Sequence, residues 1–209
     1  MENIVPVLLG GSWASGVNLY MTVAGLGIAQ RMNWVDLPGD LNILANPLII
    51  GLAVVMYLIE FVADKVPFVD SAWDMVHTFI RPAGGAAIGY FAAANADPLI
   101  QSAVAVLTGS VALSSHLTKA TTRAAINSVP TGVGNSVASV TEDTAVFSVL
   151  YFIVKHPVIA SFLAIAFIAL SIWLLIKFSR FLKRLFCPVK KDEVAAPPVP
   201  LRGNTARSP

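Results

Sequence analysis

The sequence predicts an all-α fold, a multi-pass bundle of transmembrane helices. Three observations carry that reading. Of 209 residues, 56% are hydrophobic and only 12% charged, where a soluble domain carries roughly 25%; mean hydropathy is +0.73. Several uncharged stretches reach the ~20 residues that cross a hydrocarbon core of about 30 Å. The remaining charges fall into a few short clusters. This composition excludes a disordered chain and argues against a soluble enzyme. A net charge of +2 with no basic face argues against nucleic acid as a partner. The single cysteine, Cys187, excludes a disulfide framework and a cysteine-built zinc site.

The first element is uncharged from Asn3 to Gln30, and Gly10, Gly11 and Gly16 interrupt it, so a kinked or partly re-entrant helix is expected. Only Glu2 precedes it, not the basic region of a secretory signal, so it reads as an uncleaved first helix. A second span runs from about Leu41 to Ile59. The charged stretch 60–81 is expected to form an amphipathic or re-entrant segment. A short third span, Pro82 to Ala96, ends at an Asp97-Pro98 turn. The fourth starts at Pro98 and continues as helix toward Asn127. After a polar loop, Ser128 to Thr141, the apolar run Thr144–Val154 is too short to cross and reads as a half-span or interfacial helix. Pro157 to Ile176 is the fifth span. Four and six spans remain alternatives to five.

Lys177, Arg180, Lys183, Arg184, Lys190 and Lys191 follow that last span and place the C-terminus in the cytoplasm. An odd number of spans then puts the N-terminus outside. The chain divides into a transmembrane domain, 1–187, and a Pro-rich tail, 188–209, expected to be disordered. Gly11-Ser12-Trp13-Ala14 matches Gly109-Ser110-Val111-Ala112, and Asn46-Pro47-Leu48-Ile49 resembles His156-Pro157-Val158-Ile159. Either these are chance matches of apolar segments or they mark a repeat inverted in the membrane, a plan that places a site at the repeat interface.

Two stretches hold most of the informative polarity. In the first, Glu60 and Asp64 share a helix face, Pro67 breaks the helix, and Asp70 suits an N-cap. Asp70, Asp74, His77 and Arg81 then form one stripe, with Val69, Trp73, Val76 and Ile80 opposite. This fits a helix in the membrane interface, a re-entrant element lining a wet cavity, or a surface helix with solvated charges. Glu60 directly ends an apolar run and is the best candidate for a buried, functional carboxylate. In the second stretch His116, Lys119, Arg123 and Asn127 share a face, with Ser115, Thr118 and Thr122 beside it. These cations either snorkel to lipid phosphates, pair with Glu60 and Asp64, or bind an anionic substrate, a task to which arginine is suited. Five spans put both stretches on one side, so Glu60 or Asp64 is expected near Lys119 or Arg123. Gly85, Gly89 and Ala93, and Ala105 and Gly109, recur every fourth residue and suit close helix packing. Asp70, Asp74 and His77 alone supply too few ligands for a metal, and neither a metal nor a cofactor is expected. A phosphate-binding loop, a zinc-protease motif and a hydrolase nucleophile elbow are all missing.

These charged motifs resemble a bacterial membrane family designated domain of unknown function 4126. The likeness rests on Glu60, Asp64, Lys65 and Pro67, on Asp70, Asp74, Arg81 and Pro82, on His116, Lys119, Arg123 and Asn127, and on the early Gly-rich helix Gly11 to Gly27. It covers about Val5 to Phe186. It implies an integral protein of the bacterial inner membrane and brings no activity with it. The candidate substrate-binding or charge network is thus Glu60, Asp64, Lys65, Asp70, Asp74, Arg81, His116, Lys119, Arg123 and Asn127. The expected function is a small transporter, channel or lipid flippase for a charged, anionic substrate. The alternatives are a non-catalytic assembly or scaffolding protein, and a membrane enzyme acting on a lipid-phosphate substrate with Asp70, Asp74, His77, Lys119 and Arg123. Expected partners are the lipid bilayer, with anionic lipids at the basic C-terminal segment; a homo-oligomer is compatible with the sequence.

Overall fold

The structure is a computed structural model that describes residues 3–128 and 133–186. Among them every regular element is helical. Helix α1 spans Ile4–Val17 and carries a π-helical stretch at Val7–Gly11. It is followed by α2, Leu19–Arg31, and a 3-10 turn, Leu41–Ala45. Then come α3 (Pro47–Ala63), α4 (Pro67–Ala92), α5 (Pro98–Asn127), α6 (Gly134–Lys155) and α7 (Pro157–Phe186). The expected tail, 188–209, and Cys187 lie outside the described residues.

The first uncharged stretch is a hairpin rather than one crossing helix. Asn18 is extended (φ −147°, ψ 96°). Its backbone N–H donates to the Ala14 carbonyl at 2.8 Å, closing α1, while its side-chain oxygen accepts from the Met21 N–H at 2.9 Å, opening α2. The chain turns back there. A Cβ built on Gly11 lies 3.7 Å from Leu26, and the Asn3 amide donates to the Asp36 carbonyl at 3.2 Å, so the two arms run side by side with Asn18 at the tip. The expected break in this stretch is present, but the breaking residue is Asn18, not the glycines.

The remaining helices alternate in direction. Asn46 and Asp97 cap α3 and α5, accepting from Leu48 and Leu99 N–H at 2.9 Å, each with proline at the first helical position. This confirms the Asp97-Pro98 turn. Gly39 (φ +60°) lets the loop after α2 lie against the Phe91 and Ala92 carbonyls, where a Cβ would collide. Tyr57 and Asn18 both reach Asp143 at mid-α6, so the hairpin enters from the end where α6 finishes at Lys155. That end is called the Lys155 end below; the Asn127 end is opposite.

Two expectations change. Residues 67–81 and the short third span are one segment, α4, which runs unbroken through Pro82, while 60–63 end α3. It is held along its length by α5, with Gly85 and Gly89 fitted against Thr108 and Ala112 so closely that a Cβ on either would collide. Packing here overrides the local cost of proline. Asp70 accordingly lies in the first turn, with Val66 as the N-cap residue. Likewise Thr144–Val154 belongs to a full helix, α6, because the polar residues before it, Gly134 to Asp143, are also helical. Among the described residues α5, α6 and Pro157–Phe181 of α7 are long and apolar enough to cross a membrane, and α1 and α3 are shorter apolar helices.

Burial is the reverse of a soluble protein's. The largest fully buried side chains are Arg81 and Arg123, while Leu48 (83%), Phe79 (80%) and Leu99 (78%) face outward. An apolar core does exist, around Trp13, Leu26, Val149 and Ile153, and it joins the hairpin to α6 and α7. Helix α1 packs on α5 just past the matched Gly-Ser-x-Ala segments, where the Ser115 hydroxyl donates to the Trp13 carbonyl at 2.9 Å.

A Cβ at Gly16 would strike the Ala112 carbonyl and the Ser115 hydroxyl, whereas one at Gly51 meets nothing within 4 Å. Gly16→Ala should therefore cost about 1–3 kcal/mol of stability, as overpacking does, and lower the thermal midpoint. Gly51→Ala should not lower it. Equal midpoints for both variants would show that α1 does not lie against α5.

Candidate functional site

The site forms where α3, α4, α5 and α6 pass the hairpin tip. Glu60 and Asp64 close α3 on one face. Glu60 is fully buried; its Oε1 accepts from Arg81 at 2.7 Å and from Lys119 at 3.3 Å. Lys119 also reaches Asp64 at 2.9 Å and Glu142 at 3.6 Å. Arg123 donates to Asp64 at 3.1 Å and, through two nitrogens, to Glu142 at 3.1 and 2.6 Å. Further along, Asn127 donates to Asp70 at 3.2 Å, Asp70 lies 3.8 Å from Arg123, and Asn135 donates to Asn127 at 2.8 Å. Arg81 reaches Asp74 at 3.3 Å. The expected meeting of Glu60 and Asp64 with Lys119 and Arg123 is present, and the stripes of α4 and α5 face each other instead of solvent or lipid headgroups. The solvated-helix and snorkelling alternatives are corrected on this point: each charge found a partner inside, and outward faces stayed apolar.

Two histidines sit in the network as neutral donors and acceptors. Arg81 can only donate, so Nδ1 of His116 (2.9 Å) accepts, and Nε2 carries the hydrogen toward Thr78 at 3.0 Å. The Thr78 hydroxyl then donates to the Asp74 carbonyl at 2.9 Å. His77 Nδ1 donates to the Trp73 carbonyl at 2.7 Å, leaving Nε2 to accept from the Tyr20 hydroxyl at 3.0 Å. The hairpin tip is tied in twice, by Tyr20 and by the Asn18 amide, which donates to Asp143 at 3.0 Å.

The charges do not balance. Glu60, Asp64, Asp70, Asp74, Glu142 and Asp143 are six carboxylates; Arg81, Lys119 and Arg123 are three cations, and Lys65, which feels Asp143 and Asp64 through space, is a fourth. Glu60, Asp64, Asp70 and Asp74 each keep one buried oxygen with no hydrogen-bond partner. Lys65, expected in the network, makes no close ion pair in it: its ammonium donates to the Phe61 carbonyl at 2.8 Å and sits 3.0 Å from the Phe61 ring centre, while Asp143 and Asp64 act on it through space. It lies in the turn after α3, one position past the inward-facing Asp64. Among the described residues no group of His, Cys, Asp and Glu is arranged to hold a metal ion.

A sequence model for a domain of unknown function (DUF4126) matches residues 5–177. The chain belongs to this family. No curated protein and no solved structure matches it. The DUF4126 match takes in the hairpin and the whole network.

Glu142, Asp143, Asn18, Tyr20 and Tyr57 were not among the candidates. Glu142 and Asp143 carried a usable signal, being the only charges between Arg123 and Lys155. Asn18 and the tyrosines carried none.

Two of the cavities reach ionic side chains of the network, both on the half toward the Asn127 end. One of about 740 Å³ lies between α5, α6 and α7 and reaches Lys119 and Glu142. The other, about 230 Å³, lies between α4 and α5 at Asp74 and Arg123. On the Lys155 half the cavity beside the hairpin reaches Tyr57 and none of the network's charges.

Removing one member of a buried pair typically costs about 3–5 kcal/mol, because its partner stays charged and desolvated. Glu60→Gln and Arg81→Gln should each lose stability on that scale. The double variant should lose less than the sum by more than about 0.5 kcal/mol in a denaturation cycle; additivity would show that the two groups do not interact.

Proposed function

We propose that this chain is a small membrane carrier or channel that moves a proton or small cation through the buried network, with the α1–α2 hairpin as its gate. The observation that carries this reading is the acid excess, with carboxylate oxygens that accept no hydrogen bond at Glu60, Asp64 and Asp74, and one at Asp70 held only by the 3.8 Å ion pair to Arg123. A buried carboxylate oxygen without a donor is unfavourable, and gaining a proton or a cation relieves it. This excess turns the reading away from the anionic substrate that the cationic stripe of α5 suggested. Charged groups inside a membrane bundle are costly and belong characteristically to ion and proton paths. Discontinuous helices whose broken point meets such groups are a recurring transporter device, and the tip at Asn18 has that form.

In this reading α3 to α7 cross the bilayer in alternating directions, and α1–α2 enters and leaves on one side. The basic residues Lys177, Arg180 and Lys183 near the end of α7 put the Asn127 end in the cytoplasm of the inner membrane. The network is then reached from the cytoplasm through the two cavities, and the hairpin seals it from outside. The role is non-catalytic: His77, which a lipid-phosphate enzyme would use, is already engaged by Tyr20 and the Trp73 carbonyl. A non-transporting assembly protein is the second reading, favoured by the closeness of the ion pairs, 2.6–3.8 Å.

Purified chain in proteoliposomes with an internal pH dye, under an imposed potential, tests the proposal. The parent should pass protons, or sodium in a parallel flux assay, well above protein-free vesicles, and Glu60→Gln should cut that flux at least tenfold. Parent flux equal to protein-free vesicles for both ions would remove the carrier reading and leave the assembly reading.

A further inference from the structure

An apolar groove of about 490 Å³ lies between α2, α3 and α6 and meets the network only at Tyr57. Its walls come from Met21, Gly25 and Ile28 on one side and Phe147, Leu150 and Tyr151 on the other. Tyr57 stands at one end, bonded to Asp143 at 3.3 Å. Trp34 and Lys155 stand at the other. Of the residues lining the groove, Lys155 alone is charged.

Three features fit one kind of occupant. The wall on α6 runs from Phe147 to Lys155, eight residues of helix, about 12 Å at 1.5 Å per residue. That is most of one leaflet of a ~30 Å hydrocarbon core. The apolar wall therefore covers most of the length of a lipid tail lying beside the protein. Trp and Lys together mark the level where tails meet headgroups, and Arg31, the exposed last residue of α2, lies at that same end. Lys155 is the one charged side chain lining the groove; Arg31 and Asp36 both stand outside that lining at the same end. We propose that this groove binds one acyl chain of an anionic phospholipid, with the lipid phosphate at Lys155. The inference rests on the membrane setting and not on transport, so its test has a readout separate from ion flux.

Purified chain in detergent is titrated with phosphatidylglycerol or phosphatidylcholine carrying brominated acyl chains, which quench tryptophan fluorescence on contact. The Trp34 contribution is the difference between the parent and Trp34→Phe, which sets aside quenching of Trp173 on α7. It should be half-quenched at a phosphatidylglycerol fraction at least threefold below that of phosphatidylcholine. Lys155→Gln, an exposed change that leaves the fold intact, should abolish that preference while keeping quenching itself. Equal half-quenching by the two lipids in the parent would overturn the proposal, as would a preference that survives Lys155→Gln. Brominated free fatty acid quenching Trp34 as well as phosphatidylglycerol does would overturn the phospholipid assignment.

Discussion

Buried carboxylates must find cations, and the rest of this fold follows from that requirement. Desolvating a charge costs several kcal/mol even after relaxation, and a pair recovers this only with good geometry and further hydrogen bonds. Glu60 obtains both, with Arg81 at 2.7 Å and Lys119 at 3.3 Å. Meeting those distances fixes the register of α4 against α5 and brings α3 alongside them. The Gly85 and Gly89 contacts then allow the backbones to come close enough for Arg81 and His116 to touch. Arg123 performs the same service for α6 through Glu142. Small-residue packing and ionic pairing are therefore one arrangement: neither stripe could be satisfied if the helices stood farther apart.

The hairpin is the second consequence. Backbone that leaves the helical path in a membrane is tolerated where protein covers it or where it lines a cavity. Asn18 meets that condition by capping α2 with its own oxygen and giving its amide to Asp143. The hairpin in turn is tied to one half of the network while cavities reach ionic side chains of the other half. This asymmetry is what a gate needs, and it gives the proposed carrier a resting state.

Much of this was legible in the sequence. The periodicity of Asp70, Asp74, His77 and Arg81, and of His116, Lys119, Arg123 and Asn127, placed each set on one helix face, and the chain's alternation put them at the same end. What the periodicity could not give was the direction of those faces, because a stripe reads the same whether it looks toward water or toward another stripe. Pro82 misled for a related reason: its local cost is visible in the sequence, and the glycine packing that outweighs it is not. Glu142 and Asp143 were missed because they fell between the loop Ser128 to Thr141 and the apolar run Thr144–Val154. Asn18 was invisible because an asparagine among uncharged residues does not announce a reversal. Nor could the sequence show that acids outnumber bases within the buried set, since that sum requires knowing that α6 contributes two carboxylates.

The central claim is that the first two helices form a hairpin whose tip rests on the network, with both ends on one face of the membrane. Single-cysteine labelling with a membrane-impermeant maleimide addresses it directly, in sealed vesicles of defined orientation and with Cys187 replaced by serine. Asn3→Cys and Asp36→Cys should label from the same side, and Ser128→Cys from the other. Labelling of positions 3 and 36 from opposite sides would mean that this stretch crosses the membrane, and the hairpin gate would have no basis.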